Sequence, residues 1–389
     1  MPLPVPPSLP PPSGEAAAHS RRVSGHIAAA IAAAGGWIPF SRYMELALHA
    51  PGLGYYTAGA RKFGAGGDFV TAPEISAVFG QCLARQAAEV LDATGGDILE
   101  LGPGSGALAA SMYRELRSMG RAPRAWRLLE VSPDLQHRQR TRLAQEFPGE
   151  SERFEWVGTL PADFRGLVVA NEVLDVVPFA IVRRSQDRFF ERGVAVEGDG
   201  FAWHDRELAE GELLRRARAV FPPGGYDYES EISLAAEALV RTVAQSIQAG
   251  IALFIDYGFA QPELYHPQRS TGTMRCHYRH RFHGDPFFLP GLQDITAHVD
   301  FTAMAQAAES AGAEVYGYAT QAGFLISAGL ADFLSRIEPE ITVERMKATS
   351  AAHRLVSPAE MGELFKVLAV GKGIEGPLVG FDSARPLAL

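Results

Sequence analysis

The stretch Asp97–Gly106 reads DILELGPGSG. Ile98, Leu99 and Leu101 make a short apolar run, the pattern of a strand buried on both faces of a parallel sheet. Gly102, Gly104 and Gly106 follow at alternate positions, and then Leu108, Met112, Leu116 and Met119 recur at helical spacing until Gly120 ends the helix. Strand, glycine turn and helix in that order define an α/β unit. They let a ligand approach the backbone and a helix N-terminus without a side chain in the way.

Two ligand classes suit such a turn. A dinucleotide site calls for G-x-G-x-x-G and a pyrophosphate on the helix dipole. Here the spacing is E-L-G-x-G-x-G, and Glu100 would repel phosphates but suits a cationic ligand. This resembles the first motif of class I methyltransferases, whose S-adenosylmethionine is a sulfonium cation with no phosphate. The structural alternative is an ordinary tight turn.

Outward from the turn, Trp126–Val131 reads as a second strand ending at Glu130, placed to accept ribose hydroxyls, with Ser132 opening the next helix. Phe154–Val157 and Gly166–Ala170 read as further strands. The latter runs into Asn171, Glu172 and Asp175, polar groups that face a crevice beyond the strand end. Phe179–His204 alternates as an inserted β meander. Tyr228–Ala249 reads as a helix with Glu229 and Glu231 at its start, and Ile251–Gly258 as a buried strand ending in Asp256 and Tyr257. Glu314–Tyr318 and Leu364–Val370 read as the last two strands, with mostly helical chain between them.

Two loops carry candidate substrate or lid residues. The glycine-rich Arg61–Ser76 stretch holds Gly67, Asp68 and Thr71 and is either a closing lid or a linker. Phe259–Asp300 is long, aromatic and irregular, a length that usually signals function. His277, His280 and His283 recur there beside Cys276. Gly272, Gly284, Pro286 and Pro290 break any helix that would align them, so no metal site is read. His280, His298 and Asp300 are read as structural or substrate-orienting groups.

The chain has 389 residues, long for one domain, with 47% hydrophobic and 21% charged residues, as in a globular enzyme. A net charge of −9 argues against nucleic-acid binding. Two cysteines, Cys82 and Cys276, form no C-x-x-C and fit a reducing compartment. No apolar run has transmembrane length. The proline-rich start lacks the basic and apolar segments of a targeting peptide, so a cytoplasmic protein is expected. The division expected is a disordered tail (1–20), a helical extension with the glycine-rich loop (21–75), and a catalytic domain (76–389) with insertions at about 179–230, 259–300 and 323–355.

Six blocks together, GDFVTAPEIS, LELGPGSG, NEVLDVVP, FIDYG, DPFFLPGLQDITAHVDF and MGELFKVL, closely resemble the MidA family in sequence and order, over about Phe40 to Lys372. That family comprises class I S-adenosylmethionine-dependent methyltransferases and includes mitochondrial complex I assembly factors. The resemblance implies a Rossmann-like seven-stranded sheet with helices on both faces and S-adenosylmethionine as cofactor. It also implies methylation of protein arginine, in the eukaryotic case on a respiratory complex I subunit, and a mitochondrial matrix location there. His280 falls at the family's histidine position.

The roles implied are Gly102, Gly104 and Gly106 against the methionine part, Glu100 near its ammonium group, and Glu130 on the ribose. Asn171, Glu172 and Asp175 face the transferred methyl, the two acids orienting a guanidinium. A complex I assembly chaperone that binds cofactor without turnover is the alternative function, and a homodimer is one open oligomeric state.

Overall fold

A computed structural model describes residues 9–58, 71–336, 343–382 and 387. The chain divides into two units. One comprises Met1–Phe69, Val176–Ala236 and Pro262–His298; the other comprises Val70–Asp175, Glu237–Gln261 and Val299–Leu389. The extension and two of the segments read from sequence as separate additions thus belong to a single unit.

The second unit carries the glycine turn, and its main elements are labelled here. Its strands are β1 (Asp97–Leu101), β2 (Trp126–Leu129), β3 (Phe154–Val157), β4 (Phe164–Asn171), β5 (Ile247–Phe259), β6 (Glu314–Thr320) and β7 (Phe365–Lys372). They pair in the order β3-β2-β1-β4-β5-β7-β6, all parallel except β7, which is antiparallel to both neighbours; the two-residue strand Val299–Asp300 pairs with the end of β5. Ile251 through Ile255 in the middle of β5 are fully buried, as expected of a strand covered on both faces.

The chain runs outward from β1 to β3 and returns on the other side at β4. The order therefore reverses between β1 and β4, and that is where an open α/β sheet leaves a crevice at its carboxyl edge.

The helices of this unit are α1 (Ala72–Ile75), α2 (Ala77–Thr94), α3 (Ala107–Ser118), α4 (Pro133–Glu146), α5 (Phe301–Glu309), α6 (Gln321–Ser327), α7 (Leu330–Ser335) and α8 (Val343–Val356). Phe79, Leu83 and Val90 of α2 and Leu108, Met112 and Leu116 of α3 recur at helical spacing, and all join one core with Ile98, Trp126, Leu167 and Leu253 of the sheet.

In the first unit the meander forms, but in a sheet of its own and not inserted into the central sheet. Ala180–Ser185, Arg188–Glu197 and Gly200–Glu207 form antiparallel pairs. The first turn places Gln186 and Asp187 at φ 50° and 64°, the left-handed pair that a two-residue hairpin requires. Val23, Ile27, Ile31, Phe40, Tyr43 and Leu46 from two helices share its core with Ile181 and Val194.

Three readings from sequence are corrected. The tail does not extend to residue 20: a helix spans Gly14–Ala33, its N-terminus capped by Ser13 Oγ, which accepts from Ala16 N at 3.2 Å. Tyr228–Ile232 is a strand paired with Ala180–Arg184, and the helix that follows is Leu234–Ser246. Glu231 is there not to greet a helix dipole. It is buried and accepts from Thr273 N (3.0 Å), Thr273 Oγ1 (3.0 Å) and Met274 N (2.9 Å).

The third correction concerns the stretch read as irregular. Arg275–Tyr278 pairs antiparallel with both Arg281–His283 and Asp294–Thr296. Arg279 (φ 48°) and His280 (φ 60°) make its two-residue turn without the glycine or asparagine that signals one.

Candidate active site

Gly102, Gly104 and Gly106 sit at φ 58°, 54° and 78°, a backbone region costly for any residue with a Cβ. A Cβ at Gly102 would lie 3.0 Å from Val173 Cγ2, so the chain leaving β4 rests directly over the glycine turn. Gly106 is the N-cap of α3 and supplies no side-chain acceptor, so the first-turn N–H groups remain for a ligand. The turn is held from two helices. Ser105 Oγ donates to the Glu74 carboxylate of α1, and Arg142 of α4 donates to Ser105 O at 3.2 Å and to Ser105 Oγ at 2.9 Å.

Glu130 follows β2 directly and is 8% exposed. Its Oε1 accepts from Ser132 N at 2.8 Å and its Oε2 from Gln139 Nε2 at 3.2 Å. A carboxylate fixed in this way is a rigid acceptor of the kind that a vicinal diol takes. Beside it Val131 is 66% exposed, an apolar surface suited to a purine face. Val131 and Gln139 were not singled out from sequence: one reads as a strand end, the other as a polar helix residue.

Glu100 is not the open strand-end carboxylate expected. It is 2% exposed and accepts from Trp126 Nε1 at 3.1 Å. Burial pushes its pKa up to about 8, opposed by the indole bond and reinforced by the charge of Glu130. At neutral pH it is mostly a neutral acid.

The raised pKa has a thermodynamic consequence. The folded state holds this proton to about pH 8, whereas the unfolded chain releases it near 4.5. Stability therefore falls as pH rises through that window. Glu100→Gln keeps an acceptor for Trp126 and removes the titration. Its stability relative to wild type is expected to rise between pH 5 and pH 8, with about 5 kcal/mol as the ceiling at 1.36 kcal/mol per pKa unit. Denaturant unfolding at the two pH values checks this; a pH-independent difference contradicts it.

Asn171, Glu172 and Asp175 come together after β4 around a residue that the sequence reading left as a strand end. Asp256 of β5 is buried. Its Oδ2 accepts from Val173 N (3.1 Å), Leu174 N (2.9 Å) and Asp175 N (3.2 Å), and its Oδ1 from Tyr257 N (2.9 Å). One carboxylate thus shapes the whole turn. Glu172 N donates to Ile255 O at 2.8 Å, its φ is 53°, and its carboxylate accepts from Asn171 Nδ2 at 3.0 Å. A left-handed glutamate costs about 1–2 kcal/mol, which the anchors on either side offset.

The two proposed acids have different surroundings. Glu172 is half-buried, whereas Asp175 is 4% exposed and accepts from Tyr257 Oη. Burial, then the charges of Asp175 and Glu172, hold the Asp256 carboxyl well above the usual carboxylate range, against the pull of its N–H donors. The cluster is a group of three acids with one half-buried member.

Gly67 and Asp68 lie outside the described residues. Thr71 is the N-cap position of α1, without a side-chain capping bond. Asp300 caps α5, accepting from Ala303 N at 3.0 Å. His280 is exposed at the hairpin turn of the first unit, and His298 N in that unit donates to Thr273 Oγ1 at 3.0 Å. Burial lowers the His277 pKa to about 4. Among the described residues, no group of three or more His, Cys, Asp or Glu side chains is placed to hold a metal ion. No helix among them is long and apolar enough to cross a membrane.

Comparison with known proteins gives this geometry a family. The model of a family described as S-adenosyl-L-methionine-dependent methyltransferase matches residues 82–319, which include the glycine turn, Glu130 and the Asn171–Asp175 turn. The chain belongs to this methyltransferase family. A crystal structure of a family-type protein from Burkholderia thailandensis, bound to S-adenosyl-homocysteine, is 46% identical and superposes with a TM-score of 0.93, covering 97% of this chain and 98% of that one.

The protein arginine methyltransferase NDUFAF7 homolog of Drosophila melanogaster, mitochondrial by name, is 30% identical over 97% of this chain and 93% of its own length. The Danio rerio protein arginine methyltransferase NDUFAF7 is 29% identical over 89% of this chain and 86% of its own. The enzyme is thus a MidA-type methyltransferase with S-adenosylmethionine as cofactor. The residues present fit that cofactor: left-handed glycines, a helix N-terminus without a side-chain cap, and a fixed carboxylate for a diol, with the one arginine at the turn, Arg142, engaged by Ser105.

Proposed function

We propose that this methyltransferase acts on an arginine side chain of a protein. The observation that carries the reading is the Asn171–Asp175 turn: a half-buried carboxylate in a left-handed conformation, over the glycine turn, with two buried acids behind it. The names of its curated relatives support the same reaction. S-adenosylmethionine supplies a methyl group already activated on a positively charged sulfur. The task left to the protein is positioning and proton handling.

Gly102, Gly104 and Gly106 admit the methionine part, and Glu130 takes the ribose hydroxyls. Glu172 binds the substrate guanidinium and concentrates its positive charge away from the attacking nitrogen, whose lone pair is otherwise delocalised. The attacking nitrogen must also lose one proton per transfer, and in this reading Glu172 accepts it. Asp175, held by Tyr257, and Asp256, held by backbone N–H groups, keep the cluster acidic and the turn rigid.

The resemblance to assembly factors points to a respiratory complex I subunit as the substrate, in the matrix if the source is eukaryotic and in the cytoplasm otherwise. Comparing protein arginine methylation in cells with and without this gene tests the reading. One methylarginine is expected to disappear on deletion and to return with wild type but not with Glu172→Gln. Unchanged protein arginine methylation, with a methylated small molecule lost instead, would overturn it.

A further inference from the structure

Gln139 lies in the middle of α4 among PDLQHRQRTRLAQE, a stretch dominated by polar residues, yet it is fully buried. Three of the four hydrogen-bonding positions of its amide are used. Trp156 Nε1 donates to Gln139 Oε1 at 2.8 Å; Gln139 Nε2 donates to Gly104 O at 2.8 Å and to Glu130 Oε2 at 3.2 Å. Indole is only a donor, so Trp156 fixes which end of the amide is oxygen. Both N–H groups must then face the glycine turn and the ribose acid. The fit is close: a Cβ at Gly106 would lie 3.4 Å from Gln139 Cγ.

We infer that Gln139 is a positioning residue for cofactor binding, coupling the glycine turn to the carboxylate of Glu130 so that both face the ligand in one fixed relation. The inference rests on Glu130 as the ribose acceptor. Without the amide, Glu130 keeps Ser132 N as a donor but loses the Gln139 bond to its second oxygen, and Gly104 loses its own bond to α4, while Arg142 still holds the turn at Ser105. Gln139 does not touch the reacting atoms. Its effect is on cofactor affinity and on discrimination at the ribose.

The test is calorimetric titration of the full chain with S-adenosyl-homocysteine and with its 2′-deoxy analogue. The proteins are wild type, Glu130→Ala, Gln139→Met, Gln139→Glu and the double variant Glu130→Ala/Gln139→Met. Gln139→Met keeps the volume; Gln139→Glu keeps the shape and the Trp156 bond but sets a second carboxylate against Glu130 and Gly104 O. Thermal unfolding identifies any variant that fails to fold.

Glu130→Ala and Gln139→Met are each expected to weaken S-adenosyl-homocysteine binding about tenfold or more, and Gln139→Glu at least as much as Gln139→Met. The preference for the ribose hydroxyl is expected to collapse in the folded Gln139 variants as it does in Glu130→Ala. The double variant is expected to bind within about threefold of Glu130→Ala, because the two residues act as one.

If Glu130→Ala weakens binding but a folded Gln139 variant retains wild-type affinity and ribose preference, the inference is overturned. Additive losses in the double variant overturn it as well. If Glu130→Ala itself binds like wild type, the ribose assignment fails first, and the role of Gln139 with it.

Discussion

Glu172→Gln is expected to lower methyl transfer by about a thousandfold or more while S-adenosyl-homocysteine affinity changes by less than about threefold. The substitution keeps the shape of the side chain and an acceptor for Asn171 Nδ2. It removes the negative charge and the place for the proton that leaves the attacking nitrogen. Glu172 is a carboxylate of the turn after β4, whereas cofactor contacts are assigned to the glycine turn and Glu130, so the effect falls on kcat. Initial rates at saturating cofactor, with calorimetry on the same preparation, separate the two quantities. Equal losses in rate and affinity would move Glu172 into the cofactor site. A companion, Glu172→Gly, should be equally inactive without loss of stability, because glycine relieves the φ of 53° that glutamate holds at a cost.

Asp256→Ala is expected to lower kcat by about a hundredfold or more and to destabilise the fold by about 3 kcal/mol. Four backbone N–H groups, those of Val173, Leu174, Asp175 and Tyr257, would lose their acceptor at once. Glu172 would then lose the turn that presents it. Asp256→Asn keeps an acceptor oxygen for the three turn N–H groups, which all share Oδ2, and leaves only Tyr257 N without one, so most of the stability and of the rate is expected to return. Denaturant unfolding and initial rates check both variants. A wild-type rate in Asp256→Ala would show that the turn holds its shape without this carboxylate.

What could be read from the sequence was whatever depends on neighbours along the chain. The apolar run of β1 followed by Gly102, Gly104 and Gly106 states its own geometry, because only glycine repeats φ near 60° without strain. Glu130 and the Asn171–Asp175 stretch follow from ending a buried strand in acids. What could not be read depends on neighbours across the sheet. Asp256 shapes the turn after β4 because β5 lies beside β4 in register, Ile255 opposite Asn171. Gln139 looks like part of a solvated helix face until Trp156 and Gly104 are placed against it.

Other departures have local causes. The Arg279–His280 turn reaches left-handed φ values without glycine, so its hairpin carries no turn signal. The acids of Tyr228–Ile232 imitate a helix start, yet Glu231 is buried by donors more than forty positions away. Glu100 reads from sequence as an open carboxylate at the strand end, but its protonation depends on burial and on the Trp126 indole.

The most direct test of the account is label transfer in vitro. The purified chain is incubated with methyl-labelled S-adenosylmethionine and an extract of cells lacking the gene, and the protein fraction is hydrolysed and its amino acids separated. Label in methylarginine, absent when Glu172→Gln replaces wild type, is the predicted result. Label confined to small molecules, or none in protein arginine from a preparation that binds S-adenosyl-homocysteine, would contradict it.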